Sequence, residues 1–456
     1  MQNNGKDTLK ELENAPIAKL LWKYSLPAIV GTVVMSLYNV IDRIFIGQGV
    51  GADAIAGLAI TFPVMNLAAA LGMLVGVGAS ARISIVLGQK DKLKAEQILG
   101  NSLILIIAIA SVYLTIFAIF LDPILITFGA SAKTLPYAHD FMVYLLPGMF
   151  MMNICYSFNN IMRASGYPQK AMVTMLIGAG CNIILAPIFI FALDMGIKGA
   201  AIATDISMTI SSAFVMAHFF SLNSEIHFKK GIYRLQLPII MSIIAIGASP
   251  FLINVAGSAI NAIINNTLYR YGSDAAVAAA GLFTTYAQLL VMIVIGVCQG
   301  MQPIIGYNYG SGHFDRLRKT FILSVMAATV ICTLGSLGAM LFPTWIARAF
   351  TSDEHLIAVT ANGLSLSIVM FWMVGFQIVS TNFFQSLGMA GKSIFLSLTR
   401  QVIFLIPLLF TLPHFFGLNG VWTSFPTSDL LATIVTAILI TWQFRKLAAR
   451  QQQNSK

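Results

Sequence analysis

A chain of 456 residues in which 57% are hydrophobic and only 10% charged is too apolar for a soluble globular protein, where charged residues make up about 25%. The formal charge of +10 does not point to nucleic acid, because the basic residues stand in short loops without a basic face of interleaved aromatics; no nucleic-acid partner is expected. The four cysteines, Cys155, Cys181, Cys298 and Cys332, all fall inside apolar runs, which excludes a disulfide framework.

The opening stretch, MQNNGKDTLKELENAPIAKLLWKY, is polar for too long to be a cleavable signal peptide and reads, over residues 1–19, as a cytoplasmic amphipathic lead-in. Apolar runs long enough to cross a hydrocarbon core of about 30 Å as helices follow at 20–45, 54–80, 97–121, 135–160, 168–192 and 198–221. A second set runs over 238–268, 276–303, 319–343, 356–386, 393–415 and 419–443. None shows the period-two alternation of outer-membrane strands, so the pattern predicts an all-α integral membrane protein of about twelve transmembrane helices. Lys and Arg fall on one side of such a bundle: the N-terminal stretch, Lys90, Lys92, Lys94, Lys229, Lys230, Arg316, Arg318, Lys319 and the C-terminal tail. The other side holds only Lys133, Lys198, Arg270 and Arg348. The positive-inside rule therefore places both termini in the cytoplasm.

Near mid-chain, EIHFKKGIYRLQ (Glu225 to Gln236) is the most polar interior segment and joins two halves that resemble each other. RASGYPQK (Arg163 to Lys170) lies against QSLGMAGK (Gln385 to Lys392), NIILAP (Asn182 to Pro187) against VIFLIP (Val402 to Pro407), and GIKGAA against GLNGVW. The chain divides into a six-helix lobe over 1–224, a cytoplasmic linker over 225–236, and a second six-helix lobe with its tail over 237–456. Transporters commonly place their substrate between such pseudo-symmetric repeats.

The acidic residues that stand out within spans are Asp42, Asp205 and Asp429, and an ionisable residue inside a membrane is a functional hypothesis by default. Met35, Tyr38, Asn39 and Asp42 share one face of the first span at helical spacing. Arg43, about 100° round the helix, can extend toward the interface. In the sixth span Thr204, Ser207 and Ser211 form one polar stripe and Asp205, Thr209 and Ser212 the next. The seventh span, partner of the first, carries amides instead: Asn254, Asn261 and Asn265, with Ser258 between them. Charge coupling is thus expected in the first half, and neutral hydrogen bonding to substrate or to partner helices in the second. Asp429, with Thr433 and Thr436 on its face, is the reserve for a second protonatable site. Met149, Met151 and Met152 offer an adaptable apolar surface. No zinc spacing, phosphate-binding loop or nucleotide motif occurs, so neither an enzyme nor an ATP-driven pump is expected.

At LYNVIDRIFIGQGVGADAIAGLAI, at NIILAPIFIF followed by GIKGAAIAT, and at GMQPIIGYNYGSG, the sequence resembles the multidrug and toxin extrusion (MATE) family, in particular its MepA-like bacterial branch. The resemblance covers nearly the whole chain. It implies two six-helix lobes in a V, a bacterial inner-membrane location, and export of organic cations, drugs and amphiphilic metabolites by alternating access against protons or sodium. It also implies a cation-coupling set of Asp42, Asn182 and Thr204, which would be the metal ligands if sodium is the coupling ion. The family's second acid falls on Ala186. Asp205 adjoins Thr204 and is the nearest replacement, so two arrangements stay open: Asp42 with Asp205 around sodium, or Asp42 alone carrying a proton. The proton is preferred, since hard cations favour several oxygen ligands.

The substrate cavity is expected to draw on Met35, Tyr38, Asn39, Asn254, Asn261, Asn265 and Asp429. No resident cofactor is called for, and the expected unit is a monomer in the lipid bilayer with a small amphiphilic or cationic substrate. A lipid-linked oligosaccharide flippase shares the repeats and span number but would need a cationic central cavity, for which Arg400 is the one clearly mid-span arginine. A channel would conduct without stoichiometric exchange.

Overall fold

The computed structural model describes the backbone of residues 4–222 and 224–454, and the side chains of all of these except 4–7, 52, 53, 258, 453 and 454. Every regular element among the described residues is helical. A short helix α1 (Asn4–Asn14) precedes six long ones: α2 (Ile17–Gly49), α3 (Ala52–Gly88), α4 (Lys92–Thr127), α5 (Leu135–Ala164), α6 (Pro168–Pro187) and α7 (Gly196–Phe220). The second lobe comprises α8 (Leu237–Tyr271), α9 (Asp274–Gly310), α10 (Phe314–Leu341), the short α11 (Pro343–Arg348), α12 (Glu354–Ser367), α13 (Trp372–Ser386), α14 (Ala390–Leu398) and α15 (Ile406–Asn454). Single wide turns extend α6 over Ile188–Ala192 and join α14 to α15 over Thr399–Leu405.

The boundaries follow local chemistry. Asp91 accepts the Lys94 amide at 3.0 Å to start α4, and Asp353 accepts two amides to start α12, each supplying an acceptor that the first helical turn lacks. Prolines open α6 and α8 where their missing N–H costs nothing.

Among the described residues, nine helices, α2 to α10, are each long and apolar enough to cross a membrane, α6 together with its wide turn. The run expected as one span over 356–386 is instead two helices, α12 and α13, bent by 58°, with no proline or glycine between them. The last unit, Ala390–Gln452, is 63 residues long; at 1.5 Å per residue it would reach roughly 95 Å if straight, about three times the hydrocarbon thickness. It turns back at Gly417, whose φ of +56° suits a residue without Cβ. Arg400 Nε meets Asp429 Oδ1 at 2.6 Å and Lys392 Nζ meets Gln443 Oε1 at 2.5 Å, so the two arms lie antiparallel. Counting α12–α13 as one crossing and these arms as two gives twelve.

One apolar cluster lies wholly in the first lobe, from Ile46 to Ala203, and another wholly in the second, from Ile260 to Trp422. The largest draws on both, with Leu20, Tyr24, Val75 and Ile83 against Val294, Met301, Ile304 and Tyr307. Among the described residues, the apolar packing between the lobes is therefore gathered at one end. Their contact there is backbone against backbone: a Cβ on Gly247 would strike the Leu74 carbonyl, and one on Gly310 the Ile85 carbonyl. Such small-residue contacts are how helices approach closely in a membrane, where apolar burial alone does not drive association. Gln302 Nε2 donates to Ser80 Oγ at 2.9 Å across the same seam.

The closed end is also the end where the chain begins and finishes. Arg316 donates to the Leu12 and Ala15 carbonyls, Gln451 donates to Asp315 at 2.9 Å, and Glu225 of the linker lies 3.7 Å from Lys92. Toward the opposite end the apolar cluster of each lobe is its own, and the two stay separate.

Candidate functional site

The halves of α2 and α8 beyond the seam carry the polar residues singled out in the sequence, but the structure separates them. Tyr38 is buried in the first lobe and neighbours both Asp42 and Thr204. Asn182, 1% exposed, donates through Nδ2 to Thr204 Oγ1 at 3.0 Å, and Thr204 in turn donates to the Ala200 carbonyl at 3.0 Å. Residues from α2, α6 and α7 thus come together as Asp42, Tyr38, Thr204 and Asn182. Asp42 Oδ1 is buried and has no hydrogen-bond partner among the described residues. Its neighbour Arg43 does not form an ion pair with it among the described residues; the guanidinium stacks 4.8 Å from the centre of the Phe62 ring on α3. Stacking on an aromatic face holds the cation at the lobe's rim and leaves the carboxylate without a paired counter-ion.

Asp205 stands elsewhere. It follows Thr204 by one residue, about 100° round α7, and its carboxylate packs against Gly148 of α5, where a Cβ would collide with Oδ1. Ala186, wholly buried in the first lobe's apolar cluster with Ile190, Ile197 and Ala200, puts a methyl group where the family pattern has an acid. Among the described residues, no three His, Cys, Asp or Glu side chains are grouped closely enough to hold a metal ion.

Most hydroxyls of α7 are turned inward: Ser207 and Ser211 are buried and donate to the carbonyls of their own helix at 2.7 and 2.9 Å, and Ser212 is buried too, whereas Thr209 is exposed. Met149 is packed in the core, its carbonyl accepting the Asn153 amide at 2.8 Å, so it does not line an open cavity; Met151 and Met152 are half-buried. On the open side, Asn39 is exposed and donates to the Met35 carbonyl at 2.8 Å, with Met35 itself half-buried. Asn254, Asn261 and Asn265 are exposed, Asn254 donating to the Pro250 carbonyl at 2.8 Å. The Ser258 side chain lies outside the described residues. An amide facing hydrocarbon leaves its polar groups unsatisfied, which favours the water-filled cleft for this stripe.

Asp429 is not on that cleft. It is 1% exposed inside the second lobe and paired with Arg400 at 2.6 Å. Gln377 of α13 donates to the Asp429 carbonyl and to Thr433 Oγ1, both at 2.6 Å, and Ser428 donates to the Arg400 carbonyl. Sequence reasoning singled out Arg400 and Asp429 separately and missed Gln377. The signal that joins them is the turn at Gly417, which sets residue 400 opposite 428 and 429.

A sequence model of the MatE family matches the chain twice, over residues 27–188 and 250–411. The chain belongs to the MatE family. Both matches begin at a proline inside a lobe's first long helix, Pro27 of α2 and Pro250 of α8. At that offset Asp42 corresponds to Asn265 and Tyr38 to Asn261, so this MatE protein carries the acid in one repeat and an amide in the other. Similar proteins include the multidrug export protein MepA of Staphylococcus aureus, 26% identical over 436 residues, covering 95% of this chain and 96% of that one. Among solved structures, a MATE protein in the bent conformation superposes with a TM-score of 0.92 at 25% identity over all of both chains. An outward-facing multidrug resistance MATE transporter of the MOP superfamily superposes with a TM-score of 0.90 at 25% identity, over 99% of this chain and 100% of that one.

Proposed function

We propose that this MatE protein exports organic cations, drugs or amphiphilic metabolites across the bacterial inner membrane in exchange for protons, with Asp42 carrying the coupling proton. The observation that carries this reading is the half-buried Asp42 carboxylate near the meeting of α2, α6 and α7, with its buried Oδ1 lacking a donor among the described residues and the adjacent Arg43 turned onto Phe62. A proton supplies the missing donor and removes the cost of a buried charge. Tyr38, Thr204 and Asn182 fix the acid's surroundings, and when the lobes swing, a change in those surroundings changes proton affinity. Only such a difference between states lets an ion gradient drive export.

Sodium fits less well. Thr204 already accepts from Asn182, Ala186 offers no oxygen, and Asp205 faces α5. The flippase alternative loses support as well, since Arg400, its one mid-span cation, is neutralised by Asp429. The test is ethidium efflux from proteoliposomes holding the wild-type monomer, under separately imposed proton and sodium gradients. Efflux should follow the proton gradient and ignore sodium, and Ala186→Asp should gain a sodium response. Sodium-stimulated wild-type export that Asp205→Asn abolishes would make Asp205 the displaced ligand and sink the single-carboxylate reading.

The Lys and Arg asymmetry assigns the closed end, with both chain ends and the linker, to the cytoplasm. Lys230, exposed on the linker, reports on this. In a cysteine-free background, Lys230→Cys should stay unlabelled by an impermeant maleimide added to intact cells and be labelled after permeabilisation; labelling in intact cells would invert the orientation.

A further inference from the structure

The short helix α1, read from the sequence as an amphipathic lead-in to the first span, lies across the seam at the closed end. An 11-residue helix is marginal in water on its own, so its order derives from what it touches, and it touches both lobes. Toward the first lobe, Glu11 accepts Lys23 Nζ of α2 at 2.5 Å, and Glu13 Oε1 lies 3.6 Å from Lys90 Nζ in the α3–α4 turn. Toward the second lobe, Glu13 Oε2 accepts the Tyr307 hydroxyl of α9 at 3.4 Å. Arg316 of α10 donates from one terminal nitrogen to the Leu12 carbonyl at 3.0 Å and the Ala15 carbonyl at 2.8 Å, while its Nε donates to Asn308 Oδ1 at 3.1 Å.

The chemistry suits a grip. The last carbonyls of a helix have no partners within it and carry the negative end of its dipole, and an arginine fork can bond them while a second edge is held by an amide. Leu12, 1% exposed, inserts below this grip into the apolar cluster shared by both lobes. Every one of these contacts is made while the lobes are closed at this end, and a swing that opens it separates Lys23 and Lys90 from Tyr307 and Arg316. One helix cannot follow both.

We propose that α1 is a clasp holding the chain-end face of the V shut, and that Arg316 is the positioning residue whose release licenses the opposite conformation. This goes beyond the coupling reading and does not depend on it, since the clasp sets which face is open whatever ion does the work.

The test is the distance between spin labels at Gln169 and Gly391, two exposed positions on the closed face, one in each lobe, introduced as cysteines in a cysteine-free background. The wild-type scaffold should give one dominant short distance. Arg316→Gln should raise the ratio of the long-distance to the short-distance population about tenfold, a shift of about 1.4 kcal/mol. An unchanged distribution in a folded Arg316→Gln protein, judged by its gel-filtration profile, overturns the proposal. Should that variant fail to fold, Glu13→Gln on the same label pair decides: a smaller shift in the same direction is expected, and no shift overturns the clasp. Asp42→Asn on the same scaffold should lose proton-driven efflux with α1 intact, so a failure of the coupling reading is separable from a failure of this one.

Discussion

Asp42→Asn is expected to leave the protein folded and inserted while reducing gradient-driven efflux at least about tenfold, to the level of passive leak. The amide has the shape of the acid, so packing beside Tyr38 survives. No ion pair is broken, because Arg43 already stacks on Phe62. What disappears is the titratable group. A difference of one pH unit across the membrane is worth about 1.4 kcal/mol per proton carried, and a carrier that binds no proton receives none of it. Downhill exchange of substrate can persist, so the decisive quantity is accumulation against a concentration gradient in proteoliposomes, at matched amounts of reconstituted protein. If Asp42→Asn still concentrates ethidium at the wild-type rate, Asp42 is structural and coupling resides elsewhere.

Much of this arrangement was legible in the sequence because lipid leaves few options. A backbone in hydrocarbon must satisfy its own hydrogen bonds, so the long apolar runs became helical, all but the one over 356–386 without a break sharper than a turn at their ends, and Gly417 between two such runs became the turn of a hairpin. The one-sided Lys and Arg pattern put the chain ends and the linker on one side, and they do lie together at the closed end. The break between Ser367 and Trp372 was illegible because the apolar run passes through it without a breaker.

Helical period placed Thr204 and Asp205 on adjacent stripes, yet which neighbour each meets depends on how α7 packs. Gly148 on α5 opens the space that Asp205 fills, and nothing in the spacing of α7 announces it. The position of α1 was hidden for a different reason: a short polar helix suits water, a membrane surface or a protein groove equally well until its partners are known. The seam left a clearer trace. Gly296 and Gly300, four residues apart on α9, face Ile29 and Ser25 of α2, and that spacing is a recognised sign of close helix contact in membranes.

Asp429→Asn should behave in the opposite way to Asp42→Asn, because half-buried Asp42 and fully buried Asp429 have different surroundings. Asp429 is paired with Arg400 at 2.6 Å in the interior of the second lobe, and the pair ties the Thr399–Leu405 turn to α15 across the final hairpin. Asp429 is fully buried and Arg400 half-buried; removing one member of a buried pair strands the other charge, which costs about 3 to 5 kcal/mol, with the lower end of that range expected where Arg400 is the one left. With an unfolding entropy of about 2.1 cal/mol/K per residue, a chain of this size would lose at least roughly 3 °C in Tm. Arg400→Gln should cost a similar amount, since Asp429 Oδ2 already lacks a donor and would lose its counter-ion too. The double variant Arg400→Gln/Asp429→Asn leaves no stranded charge and should recover at least half of either single loss, a non-additivity expected of partners in contact. Melting of the detergent-solubilised protein for the four members of this cycle measures it directly. Equal and additive losses would show that the two side chains act independently. A single variant with unchanged Tm but lost efflux would move Asp429 from holding the hairpin together to carrying a second proton.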